Sequence, residues 1–219
     1  MPSIAPAATA DSVETGGYLF RTCFKDSYQG EIAAKYAAET LKVKKVAVLY
    51  GTGDPYSSGV GKAFVAAAKQ AGLQVVAEEN SSSTDDTEYS SQLQKIEASG
   101  AEFLYAPYYY SAVGPYIVPQ ARSVGYDGYI MGPDGYDGLK TTGNKARYDK
   151  VLYTTHYSPD DKSNKKVQRF ITSYKAANNG ESPNTFTALG YDSVYMFKQA
   201  IEQAGEHATR TDIRNAIAG

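Results

Sequence analysis

Five short apolar segments, 45–50, 73–77, 102–106, 129–131 and 151–155, alternate with stretches whose apolar residues recur at helical spacing. Their starts lie about 20–30 residues apart, the length of a β–α–β crossover. A strand, a covering helix and a next strand at that interval build a parallel sheet with helices on both faces, because such crossovers are right-handed. The intervening stretches agree. Asp26 or Ser27 can cap a helix whose stripe runs Ile32, Ala33, Tyr36, Ala37 and Leu41. Ser57 or Ser58 starts the next, bearing Val60, Phe64, Ala67, Ala68 and Ala71 and stopped by Gly72. Leu93, Ile96 and Ala98 mark a third, closed by Gly100, and residues 111–124 a fourth, closed by Gly125. Glycine just past the last periodic residue is the expected helix stop. The fold class is α/β, a parallel sheet flanked by helices.

The pattern changes after Tyr157. A turn-rich segment, 158–162, leads into helices only: one with Val167, Phe170, Ile171 and Tyr174, one from Phe186 to about Ala204, and a short one capped at Thr211. Their apolar stripes need a surface that this stretch does not supply.

Composition narrows the function. Two histidines and one cysteine, Cys23, leave no Cys/His zinc site and no intrachain disulfide. A net charge of −2 with scattered Lys and Arg argues against a nucleic-acid partner. No apolar run reaches the length of a membrane span, and the amino terminus lacks the basic and apolar regions of a signal peptide. One number stands out: 20 tyrosines and no tryptophan.

Open parallel sheets bind ligands at the carboxyl ends of their strands. The loops there, 51–59, 107–111, 132–138 and 156–157, are polar and aromatic, so that Tyr56, Tyr108, Tyr109, Tyr110, Asp134 and Tyr157 gather on one rim. Gly-Pro-Asp-Gly at 132–135 is also a turn sequence, and a strand-end tyrosine also packs sideways with a wet hydroxyl. A carboxylate among phenol rings suits a small cationic head. Other chemistries fail on their motifs. Gly51 and Gly53 lack the third glycine of a dinucleotide loop, and Asp54 would repel a pyrophosphate. Gly61-Lys62 ends no P-loop, since Tyr56 stands where its first glycine belongs and Ala63 where Ser or Thr belongs. Adjacent pairs Asp85-Asp86 and Asp160-Asp161 point apart on a strand and suit capping or solvation better than a metal. Cys23 reads as a buried, inert thiol. No catalytic constellation emerges, and no cofactor or metal is expected.

Several segments occur in the order of a known family: Pro-Ala-Ala-Thr at 6–9, Leu-Phe-Arg-Thr at 19–22, Gln29-Gly30 and Val-Ala-Val-Leu-Tyr at 46–50. They continue with Tyr-Ser-Ser-Gly at 56–59, Gln-Ala-Arg-Ser-Val-Gly at 120–125 and Gly-Pro-Asp-Gly at 132–135. Tyr-Lys-Ala at 174–176, Ser182-Pro183 and Gly-Tyr-Asp at 190–192 follow. The chain resembles the type I periplasmic binding proteins that serve branched-chain amino acid ABC transporters. That resemblance implies two α/β lobes of flavodoxin-like form, joined by hinge strands, that close on an amino acid and present it to a membrane permease.

On this likeness, residues 1–25 are a remnant of the first lobe and a hinge, 26–157 a complete second lobe, and 158–219 helices that normally pack on the first lobe. A large amino-terminal part of the family pattern is absent. The resemblance places the ligand's α-carboxylate and ammonium on Ala7 and Thr9, the α-ammonium on Asp134, where many relatives carry Glu, and Tyr56 and Tyr110 around them, with Tyr109 one gap away. Phe186 matches an aromatic of the side-chain pocket. It implies an extracytoplasmic binding component, periplasmic or lipid-anchored at the cell surface, and not an enzyme. The alternative is a truncated fragment that binds nothing and forms a homodimer through its unpaired first-lobe elements.

Overall fold

The structure, a computed structural model, describes residues 1–14, 17–141 and 143–219. In chain order it comprises β1 (Ser3–Ala5), β2 (Leu19–Arg21), α1 (Asp26–Lys35) and β3 (Lys45–Gly51). Then follow α2 (Pro55–Gln70), β4 (Gln74–Ser81), α3 (Ser90–Ala98), β5 (Phe103–Tyr105), α4 (Tyr110–Ala112), α5 (Val118–Ser123), β6 (Tyr129–Gly132) and β7 (Val151–Tyr153). The last helices are α6 (Lys165–Ala177), α7 (Thr185–Ala204) and α8 (Arg210–Ala218). These elements form two compact units, one of Lys25–Thr154 and one of Met1–Phe24 with Thr155–Gly219.

In the first of these, the sheet unit, five strands run parallel in the order β4-β3-β5-β6-β7. The α/β expectation is met, and its cause is visible along β3. Val46, Val48 and Tyr50 point to the face covered by α1 and α2, where Ala33, Val60, Phe64 and Ala68 complete one core. Ala47 and Leu49 point to the other face, where Leu93, Ile96, Ile117 and Ala121 complete a second. A strand buried on both faces needs apolar residues at both parities, which is why 45–50 reads as a continuous apolar run. Helix α1 meets α2 at Gly30, where an added Cβ would lie 2.6 Å from the backbone nitrogen of Phe64.

Several boundaries differ from the sequence expectation. Helix α1 is flanked by Lys25 with no side-chain cap, and Asp26 is its first residue, buried. The helix runs on into a π-helical turn over Tyr36–Thr40, and Tyr36, expected in the stripe, is exposed because it lies to the side of the face that buries Gly30, Ala33 and Ala34. Helix α2 starts at Pro55, earlier than Ser57 or Ser58, because Asp54 caps it: its Oδ1 accepts from the Ser57 amide at 2.7 Å. Strand β4 runs on to Ser81, since β3 pairs with it as far as Gly51. The expected glycine stops hold, with φ of 75° at Gly72, 70° at Gly100 and 96° at Gly125.

In the second unit β1 and β2 form a two-stranded parallel sheet. Helix α8 is capped by Thr209, not Thr211, and Asp212 completes a capping box: the Thr209 amide donates to Asp212 Oδ2 at 2.8 Å and the Asp212 amide to Thr209 Oγ1 at 3.2 Å. Along α7, Tyr191, Val194, Tyr195 and Ile201 are exposed. No helix among the described residues is long and apolar enough to cross a membrane.

Candidate functional site

The chain leaves β3 through α2 to β4 on one side and returns through α3 to β5 on the other. Loops at the carboxyl ends of β3 and β5 therefore diverge, and such a switch point is where open parallel sheets hold ligands. The loop after β3 ends in Asp54, Pro55 and Tyr56, which open α2; the loop after β5 carries Tyr108 and Tyr109; the loop after β6 carries Asp134.

Asp134 is 2% exposed. Its Oδ1 accepts from the Tyr56 hydroxyl at 2.6 Å and from Gln29 Nε2 at 3.0 Å. The same two side chains hold its loop: the Asp134 amide donates to Gln29 Oε1 at 2.9 Å and the Gly135 amide to the Tyr56 hydroxyl at 2.9 Å. Glycine is required here, since a Cβ on Gly135 would meet the Tyr108 carbonyl at 2.8 Å. Burial first, and then the neighbouring Asp134 carboxylate, hold the Tyr56 phenol well above its ordinary pKa, so it stays a neutral donor. No Lys, Arg or His among the described residues pairs with Asp134.

Tyr109 stacks on Tyr56, ring centroids 5.3 Å apart, and its hydroxyl reaches Asp54 Oδ2 at 3.4 Å. Burial and then Asp54 push its phenol up to about 12. It is 37% exposed. Tyr110 is one residue on, opens α4 and is half exposed; its ring lies over Gly138, not over Tyr56. Tyr56, Tyr109 and Asp134 thus come together, and of the two neighbouring tyrosines it is Tyr109 that meets Tyr56. Tyr108, expected on the rim, is fully buried, its hydroxyl 2.8 Å from Ser81 Oγ and its ring edge-on to Tyr89. It is a core residue.

The remaining candidates belong to the other unit. Ala7 is exposed and Thr9 buried. Arg21 spans their segment, donating from Nη1 to the Thr9 carbonyl and from Nη2 to the Ala10 carbonyl, each at 2.9 Å. Phe186 is half-buried in the first turn of α7. Tyr157, also expected on the rim, lies in this unit too, its hydroxyl on the Pro183 carbonyl at 2.5 Å.

The sequence alone gives Gln29 no visible role. A glutamine three residues after Asp26 at a helix start is an ordinary surface pattern, and only its burial, 1% exposed, shows otherwise. Among the described residues no group of three His, Cys, Asp or Glu side chains could hold a metal ion.

Comparison with known proteins agrees with this architecture. A leucine-, isoleucine-, valine-, threonine- and alanine-binding protein of Pseudomonas aeruginosa is 30% identical over 207 residues, 93% of this chain and 54% of that one. A leucine-binding protein of Thermotoga maritima superposes with a TM-score of 0.83 at 30% identity, over 99% of this chain and 61% of that one. A branched-chain amino acid substrate-binding protein of Streptococcus pneumoniae, solved with isoleucine, gives a TM-score of 0.83 at 30% identity, over 100% and 61% of the two chains. The chain thus spans about half the length of the curated relatives it matches. A family model described as periplasmic binding protein matches residues 1–219, and the chain belongs to that family.

Proposed function

We propose that this chain is part of the amino-acid-capturing component of an ABC transporter, acting outside the cytoplasm and handing its ligand to a membrane permease. One observation carries the proposal: Asp134 is a buried carboxylate held only by neutral donors. A buried charge without a countercharge is costly, and a ligand ammonium supplies one. Tyr56 and Tyr109 beside it offer ring surface to the same cation. The proposal assigns the α-ammonium to Asp134, the α-carboxylate to Ala7 and Thr9, and the remaining contacts to Tyr56, Tyr109, Tyr110 and Phe186. The branched-chain ligands of the relatives make leucine, isoleucine and valine the first candidates. The role proposed is capture rather than catalysis, in keeping with the binding proteins the chain resembles.

Calorimetric titration with leucine, isoleucine and valine, and with their N-acetyl derivatives, tests this. Binding of the free amino acids, absent for the N-acetyl derivatives and for Asp134→Asn, is expected. Equal binding of both sets would remove the ammonium from the account.

A second reading rests on the exposed Tyr191, Val194, Tyr195 and Ile201 of α7: the chain self-associates through this unit and captures nothing. Light scattering separates the two. A monomer whose melting temperature rises with amino acid excludes it; a dimer disrupted by Val194→Glu, with no ligand response, supports it.

A further inference from the structure

A primary amide carries a donor and an acceptor in one plane, and Gln29 applies both to one residue. Nε2 donates to Asp134 Oδ1 and Oε1 accepts from the Asp134 amide, closing a ring that fixes the carboxylate relative to its own backbone. Tyr56 makes the matching pair from the other side, to Oδ1 and to the Gly135 amide. Both donors therefore converge on one oxygen, and no described residue donates to Oδ2. Gln29 Oε1 also accepts from Thr154 Oγ1 at 3.0 Å, and the Gln29 amide donates to the Lys25 carbonyl at 3.1 Å. Lys25 and Thr154 are the first and last residues of the sheet unit. The Gln29 side chain thus joins the carboxylate to Thr154, where the chain leaves that unit, from a position in the first turn of the helix that enters it.

We infer that Gln29 is a positioning residue for ligand capture: it does not touch the amino acid, but holds Asp134 with Oδ2 turned to the ammonium and ties that orientation to Thr154. The inference rests on the amino-acid-binding role proposed above. The titratable groups about Gln29 and Asp134 include the Tyr56 phenol upon Asp134, the Tyr105 and Tyr109 phenols near it, and Asp26 one turn back on the same helix.

Three measurements on the full chain test it. In Gln29→Met, which keeps volume and removes both bonds, leucine affinity falls roughly 10- to 100-fold, the loss of hydrogen bonds to a charged group. In Gln29→Glu the two facing carboxyls share one proton at acid pH and reproduce the donor–acceptor pair of the amide; at higher pH both ionise and repel. Affinity of Gln29→Glu therefore approaches wild type at low pH and falls as pH rises, relative to a wild-type profile measured alongside. Parallel profiles, or unchanged affinity in Gln29→Met, overturn the inference. The third measurement needs no ligand: amide exchange at Asp134 accelerates in Gln29→Met while Val46 and Val48 in β3 keep their protection. If wild type binds no amino acid, the functional proposal fails, and exchange still decides. Faster exchange confined to Asp134 supports the positioning role, and unchanged exchange overturns it.

Discussion

The Tyr56 hydroxyl donates to Asp134 Oδ1 at 2.6 Å while accepting from the Gly135 amide at 2.9 Å, so one phenol fixes both the carboxylate and the loop that carries it. Tyr56→Phe keeps the ring that stacks on Tyr109 and removes only the oxygen. A buried carboxylate then loses a donor and a backbone amide its acceptor. We expect a stability loss of about 1.5–3 kcal/mol in denaturant titration. Amino-acid affinity is expected to weaken by roughly tenfold or more. Unchanged stability would mean that water replaces the hydroxyl, and the site would then be wetter than its burial indicates.

Gly30 is the point of closest approach between α1 and α2, with an added Cβ 2.6 Å from Phe64 N and 2.8 Å from Ala63 C. Both are backbone atoms, so relief requires moving a helix. Gly30→Ala should destabilise the sheet unit by roughly 1–3 kcal/mol despite the better helix propensity of alanine. Because Gln29 is the preceding residue, the same shift should weaken amino-acid binding. A thermal-denaturation midpoint equal to or above wild type would show that the helices separate freely.

The rhythm of strands and helices was legible because burial on both sheet faces writes itself into unbroken apolar runs such as 45–50. The glycine stops were legible because a positive φ selects glycine. The sheet's order was not, since nothing in the apolar pattern of β4 says which side of β3 it joins. Asp134 and Tyr56 were visible as rim residues through turn chemistry and strand-end position. Gln29 was not, because a buried amide is defined by partners 105 and 125 residues away in the chain. Tyr108 misled for the converse reason: three consecutive tyrosines look alike in sequence, and only the direction of the strand end sends the first into the core and the next to the rim.

Tyrosine burial sets an alkaline limit. Burial is the leading cause holding the phenols of Tyr56, Tyr105 and Tyr136 well above their ordinary 10.0, and Tyr109 is pushed up to about 12. A phenol whose folded pKa lies above its unfolded value stabilises the fold fully below the unfolded value. That contribution is lost as pH rises toward the folded one, because only the unfolded chain releases the proton. Stability should therefore be level up to about pH 10 and fall steeply beyond it. Phenolate absorbance should resolve a group of tyrosines that ionise near their normal pKa from a group that ionise only as the near-ultraviolet dichroism collapses. A single titration of all 20 tyrosines with the dichroism intact would contradict the buried set.

Two fully buried tyrosines, one from each core of the sheet, give opposite expectations. Tyr105, on the central strand β5, stacks on Phe64 at 4.4 Å and is fully buried, yet its hydroxyl has no hydrogen-bond partner among the described residues. Tyr136 is equally buried, but its hydroxyl donates to the Ala106 carbonyl at 2.8 Å. Removing an unsatisfied buried hydroxyl discards a desolvation cost, whereas removing a satisfied one strands its partner. Tyr105→Phe should leave stability unchanged or raise it by about 1 kcal/mol, while Tyr136→Phe should lower it by about 1–2 kcal/mol. Urea denaturation of the two variants gives the comparison directly, with the sign of the difference as the result. Equal losses in both would mean that the Tyr105 hydroxyl finds a buried water, and its ring would then sit beside a hydrated cavity at the heart of the sheet.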